Sequence, residues 1–193
     1  MKALLPVLLL AAPAAAGTLD DRATAVFATG YADACMSAFL EDGSLIEAPQ
    51  RFSMRSVASW TDDPEPMEVW LFRCNIGAYN VQSVVIAHSE ANGVMPLSFA
   101  RPELDIVHED PEDFDSPVSE IRITGWSASP FVVNAHLDPD LVELHEYAFW
   151  RGIGDASSMA VWQMVDETFR IRRYDVDATY DGEINPVTLV RFD

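Results

Sequence analysis

Lysine is all but missing from this sequence. Lys2 is the only one, so the 12 Lys and Arg comprise it and eleven arginines, set against 31 Asp and Glu for a formal net charge of −19. A surface so poor in positive charge repels phosphate backbones and anionic lipid heads, which argues against nucleic acid as a partner and against electrostatic membrane binding. A basic protein or a divalent cation is the partner such a surface attracts. The plainer reading is that the acid keeps a chain in salty surroundings soluble. Long apolar runs are equally scarce. The longest lies within residues 1–16 and falls well short of the roughly 20 residues that a bilayer-spanning helix needs.

The sequence motifs of several enzyme classes are also missing. His145-Glu146 opens a zinc-protease pattern, but Phe149 stands where the second histidine belongs, and His88, His108 and His136 have no metal-like spacing. No Gly-x-Ser-x-Gly elbow is present, which argues against an ordinary α/β-hydrolase. Asp175, Asp177, Asp181 and Glu183 hint at cation ligands, yet Tyr180 occupies the position where an EF-hand requires glycine. No metal ligand set and no cofactor is therefore expected. Carboxylates are so plentiful that a glycosidase-like pair carries no information by itself.

Among the features that are present, Met1–Ala16 has one positive charge, an apolar stretch and a small-x-small ending at Ala14-Ala15-Ala16. This is the pattern of a secretory signal peptide cleaved before Gly17, and it implies a periplasmic or secreted mature protein with no membrane insertion after cleavage. No cysteine directly follows the small residues, so a lipid anchor is not expected. The only cysteines, Cys35 and Cys74, are expected to pair in an oxidising compartment, the alternatives being two buried thiols or a catalytic thiol. Closing a loop of about 40 residues would remove roughly 4 kcal/mol of unfolded-chain freedom.

Residues 17–193 read as a single α+β domain, mainly antiparallel β-sheet with an N-terminal amphipathic helix. Thr18 and Asp21 resemble a helix N-cap, and Val26, Phe27, Tyr31, Ala34, Cys35, Ala38 and Phe39 recur at three- and four-residue steps. The spacing predicts a helix that ends near Gly43, with a kink at Gly30. Strands are expected over 51–59, 68–73, 82–88, 94–99, 120–124, 131–134, 141–150, 160–165, 168–176 and 187–192. Asn92-Gly93 and Asp166-Glu167 are the hairpin turns, and Arg172-Arg173 breaks the alternation as a bulge would. The acidic, proline-containing segment Glu103–Pro117 is expected to be an exposed loop, since like charges at that density resist burial.

Two glycine-bearing stretches are the candidate ligand-binding elements. One is Cys74-Asn75-Ile76-Gly77-Ala78-Tyr79-Asn80, a polar turn between two strong strands. The other is Arg151-Gly152-Ile153-Gly154-Asp155, whose glycines beside an arginine could form an amide nest for an anion. Tight turns between strands account for both more simply. Tyr79, Asn80, Arg151, Gly152, Gly154 and Asp155 are the residues singled out, with no catalytic residue among them.

The same stretches, followed in order by Asn134 with Asp138 and by Val161-Trp162 before a C-terminal hairpin, resemble the exported bacterial family called domain of unknown function 1176. The resemblance spans about Glu68–Phe192. It implies an envelope protein of unestablished activity and brings no catalytic residues with it. Ala156 stands where that family commonly has cysteine, and its later Cys-Arg-Gly element is missing here. The leading expectation is a non-enzymatic exported binding or envelope-accessory module. The alternatives are an inhibitor of a basic enzyme such as lysozyme and a carboxylate-dependent envelope hydrolase.

Overall fold

The computed structural model describes residues 17–57, 63–113 and 116–192. Helix α1 (Leu19–Tyr31) begins with a reciprocal cap: Asp21 N–H donates to Thr18 Oγ1 at 3.2 Å, and Thr18 N–H donates to Asp21 Oδ2 at 2.9 Å. Its end corrects the sequence expectation, because the helix stops at Tyr31 and does not run on toward Gly43. Tyr31 O accepts from both Ala34 N–H (3.1 Å) and Cys35 N–H (2.8 Å), closing the last turn. Met36–Ala38 then make a single 3-10 turn. The chain doubles back so that the Phe39 ring stacks on Phe27 at 5.4 Å. The three- and four-residue spacing is thus satisfied by folding back, not by a continuous helix. The Cys35–Cys74 disulfide, with its Cα atoms 4.5 Å apart, ties this corner to the sheet beneath.

The strands in chain order are β1 (Gln50–Met54), β2 (Met67–Ile76), β3 (Val81–Ser89), β4 (Gly93–Pro96), β5 (Phe99–His108) and β6 (Val118–Ser129). They continue as β7 (Phe131–Val133), β8 (His136–Asp138), β9 (Glu143–Phe149), β10 (Ser157–Val165), β11 (Thr168–Asp177) and β12 (Val187–Arg191). All pairings among them are antiparallel. The first sheet has the order β1-β2-β3-β4 with β7 also on β3, the second runs β12-β11-β10-β9-β8, and β5 pairs with β6 alone.

Why Val69-Trp70-Leu71-Phe72 is apolar at every position follows from this layering. Trp70 and Phe72 join Phe27, Val84 and Ile86 in a core under the helix, whereas Val69 and Leu71 join Val85, Ala87, Trp162 and Leu144 in the core between the sheets. A strand buried on both faces has no solvent side on which to alternate. The second sheet does alternate: Ser158, Ala160, Trp162 and Met164 of β10 are buried and the residues between them are half-buried.

The Asp166-Glu167 turn has φ of 49° and 61°, both left-handed, as the two-residue hairpin between β10 and β11 requires. Val161 pairs with Arg173 and Trp162 with Ile171, leaving Arg172 as the extra residue of a bulge.

The segment from Glu103 is a second correction. It is not loop up to Pro117; β5 continues to His108. Glu103 and Asp105 are exposed while Leu104 and Ile106 pack on the core, so the carboxylates share the solvent face of a strand and burial is never asked of them. The short β8 falls where the sequence predicts no strand, and the strand expected over 51–59 ends at Met54, with Ala58 and Ser59 outside the described residues.

One charged pair lies inside the core. Glu146, 1% exposed, accepts from Arg101 Nη1 at 2.6 Å through Oε1, while Oε2 accepts from Val133 N–H at 2.8 Å and from Arg101 Nη2. Arg101 Nη2 also donates to Phe131 O at 3.0 Å, and the guanidinium lies 5.7 Å from the Trp162 ring centroid. The pair joins the β5–β6 hairpin to both sheets.

Candidate functional site

The two candidate turns, distant in sequence, meet at one end of the molecule. The β2–β3 turn is closed by Gly77 N–H donating to Asn80 O at 2.7 Å. Asn80 then acts as an extra strand partner for Phe149: its Nδ2 donates to Phe149 O (2.8 Å) and its Oδ1 accepts from Phe149 N–H (3.1 Å). Asn134, held at a left-handed φ of 44° that asparagine tolerates, completes the stitch. Its Oδ1 accepts from Val81 N–H at 2.8 Å, and its Nδ2 donates to Asn80 Oδ1 and to Tyr147 O, each at 2.9 Å. These carboxamides replace ladder bonds that the two sheets cannot make directly.

The β9–β10 turn is locked from within. Trp150 N–H donates to Ala156 O at 2.9 Å and Gly154 N–H to Arg151 O at 3.0 Å, with Gly154 at a φ of 79°. A Cβ on Gly152 would lie 3.4 Å from Tyr79 Cδ1, so the tyrosine ring packs against this glycine, and its hydroxyl reaches Trp150 O at 3.4 Å.

Arg151 and Asp155 form a two-point pair, with Nε to Oδ1 at 2.6 Å and Nη2 against Oδ2. The Arg151 guanidinium, with the Gly182 and Ala156 N–H groups, holds the Asp155 carboxyl well below the usual carboxylate range, against the opposing effect of desolvation. Arg151 Nη2 also donates to Tyr180 O at 2.9 Å and lies 5.1 Å from the Tyr180 ring centroid. Gly182 N–H donates to Asp155 Oδ2 at 2.9 Å, drawing the loop after β11 into the same cluster. The anion around which these donors gather is thus the chain's own buried Asp155.

All six residues singled out from the sequence therefore fall in one cluster, and their polar atoms are largely spent on bracing three loops. What the braces leave outside is apolar and aromatic: Tyr79 is 44% exposed, Ile153 71%, Tyr180 40% and Ile184 64%. Exposed Asp181 and Glu183 flank them, and Arg151 is neutralised by Asp155, so the local charge is negative. Among the described residues, no serine, cysteine or histidine joins this exposed set. It is an exposed, mainly apolar patch carried on braced turns.

The sequence marks Asn134 only within the family resemblance and not as the hub of the clamp, and it gives no sign of the Arg101–Glu146 pair. The left-handed Asn134 precedes no glycine and carries no turn signature, and nothing local marks a pair 45 residues apart. Among the described residues no group of three or more His, Cys, Asp or Glu is arranged to hold a metal ion. None of their helices is long and apolar enough to cross a membrane. No protein-family model, curated protein or solved structure matches the chain.

Proposed function

We propose that this chain is an exported, non-enzymatic binding protein, a single α+β domain similar to domain of unknown function 1176, that engages a basic partner protein through its clamped loop end. The observation that carries the reading is the contrast within the cluster. Asn80, Asn134 and Asp155 are committed to holding backbone, while Tyr79, Ile153 and Tyr180 project from the turns so held. Rigid aromatic and aliphatic tips lose little conformational freedom on contact, which is what a protein-binding surface needs. The net charge of −19 and the flanking Asp181 and Glu183 select a basic partner. Export is supported by the pattern of residues 1–16 and by the disulfide, which persists in oxidising compartments.

The test is calorimetric titration of the oxidised protein from Gly17 onward against lysozyme, at about 0.15 M salt, where exposed charges more than roughly 8 Å apart are screened. An unrelated protein of equal charge serves as control. Binding should exceed that of the control and weaken at least about tenfold, near 1.4 kcal/mol, in a Tyr79→Ser/Ile153→Ser variant. Equal binding by the control, or no loss in the variant, would reduce the effect to generic polyanion attraction. Absence of binding would overturn the choice of such a basic enzyme as partner.

A further inference from the structure

Among the described residues four acidic side chains are buried, namely Glu146, Asp155, Asp175 and Asp177, each 1% exposed. Three of them face an arginine: Glu146 faces Arg101, Asp155 faces Arg151, and Asp175 lies 2.7 Å from Arg173 Nε. Asp177 differs. Its Oδ1 accepts from Thr179 N–H (3.1 Å) and Thr179 Oγ1 (2.7 Å), and its Oδ2 accepts from Asn185 N–H. These bonds come from neutral groups, and among the described residues no arginine or histidine forms an ion pair with it. A carboxylate removed from water with hydrogen bonds but no counter-charge is the costly arrangement that the other three avoid.

Asp177 also lines a cavity. Where the β5–β6 hairpin passes the end of the second sheet, a cavity of about 270 Å³ opens between Val118 and Ile121 of β6, Val176 of β11, and Val187 and Leu189 of β12. Its lining is mainly apolar; the acidic residues on it are the buried Asp177, beside its partners Thr179 and Asn185, and Glu120, which is paired with Arg122. The volume is below the roughly 300–1,000 Å³ of pockets that hold drug-sized molecules, so any occupant is small.

We infer that this cavity is a binding site for a small aliphatic amine, whose ammonium group supplies the counter-charge that Asp177 lacks and whose hydrocarbon stem lies on Val118, Ile121 and Leu189. Neither half of the site suffices alone. The valine and leucine walls offer nothing to a free inorganic cation, and the carboxylate repels fatty acids. An alkylammonium satisfies both, and the surrounding field of a strongly acidic chain raises its local concentration. The site does not depend on the loop surface proposed above.

The experiment measures saturable binding of hexylammonium to the oxidised protein by NMR shift titration, with hexanol, hexanoate and calcium chloride as parallel probes at equal ionic strength. Hexylammonium should bind with a dissociation constant in the millimolar range suited to a ligand of about seven non-hydrogen atoms. Hexanol should bind at least about tenfold more weakly and hexanoate not at all. Val187→Trp, which blocks the cavity from a half-exposed edge position, should abolish the binding without unfolding the chain. Asp177→Asn should bring hexylammonium down to the level of hexanol. Equal binding of hexanol and hexylammonium, stronger binding of calcium, or undiminished binding in Val187→Trp would each overturn the assignment.

Discussion

Gly154→Ala is the substitution for which the structure gives the most explicit energetics. Gly154 and Gly93 share a left-handed backbone, with φ of 79° and 68°. For alanine that conformation costs roughly 1–2 kcal/mol, partly offset by about 0.4–1 kcal/mol from the stiffer unfolded chain. At Gly93 an added Cβ meets nothing within 4 Å, so Gly93→Ala should cost only this difference, on the order of 1 kcal/mol. At Gly154 the Cβ would lie 2.8 Å from Phe149 Cε1 and 3.0 Å from Cδ1. Carbon pairs rest at about 3.5–4.0 Å, so the ring must move by about 0.7 Å. It is not free to do so, because it sits edge-on to Tyr147 with centroids 4.8 Å apart. A side chain forced off its rotamer costs roughly 0.5–1.5 kcal/mol, and weakening the aromatic contact adds up to a similar amount. Gly154→Ala should therefore cost about 2–4 kcal/mol, lowering the Tm by about 5–12 °C, against about 2–4 °C for Gly93→Ala. Gly152→Ala, with ordinary backbone and a 3.4 Å contact to Tyr79, should stay within about 0.5 kcal/mol of the parent. Calorimetric melting of the three variants under non-reducing conditions decides the matter. Equal losses at Gly93 and Gly154 would refute the Phe149 contact, and a large loss at Gly152 would refute the geometry of the turn.

The remaining predictions concern covalent and charged contacts. Intact mass should lie about 2 Da below the reduced value, and reducing Cys35–Cys74 should destabilise by about 4 kcal/mol in denaturant melts; alkylation of two thiols in the untreated protein would contradict both. Arg101→Ala should cost about 3–5 kcal/mol by stranding Glu146, whereas Arg101→Met/Glu146→Leu should regain most of that loss; a double variant no better than the single would show that packing, not charge, is at stake. Asp155 has a folded-state pKa below its ordinary 3.8, so the stability it contributes is present above that value and is lost as the pH falls through the depressed one. Asp155→Asn should accordingly lower the Tm at neutral pH and flatten its dependence below about pH 4, and an unchanged acid slope would argue against the pairing.

What the sequence determined by itself was whatever depends on neighbours along the chain. The Thr18–Asp21 cap, the Asp166-Glu167 turn, the Arg172 bulge and the doubly apolar β2 follow from backbone sterics and side-chain period, which act within a few residues, whereas the Asn92-Gly93 signal marks a hairpin whose turn is Glu90–Asn92, with left-handed Gly93 opening β4. The two glycine turns were also legible as special, because Gly-x-Gly and Gly-Ala-Tyr-Asn restrict the backbone locally. Their meeting was not, since Asn80 reaches Phe149 across 69 residues and no local rule reports that distance. Tertiary structure likewise ended α1 at Tyr31, by bonding Cys35 to Cys74 and folding Phe39 back onto Phe27, and it made a strand of Glu103–His108 by giving the carboxylates a solvent face. It also chose which acids to bury and whether an arginine meets each one. That choice leaves Asp177 with no arginine or histidine paired to it among the described residues, beside a mainly apolar cavity, because pairing of charges is settled by packing between strands and not by their order in the chain.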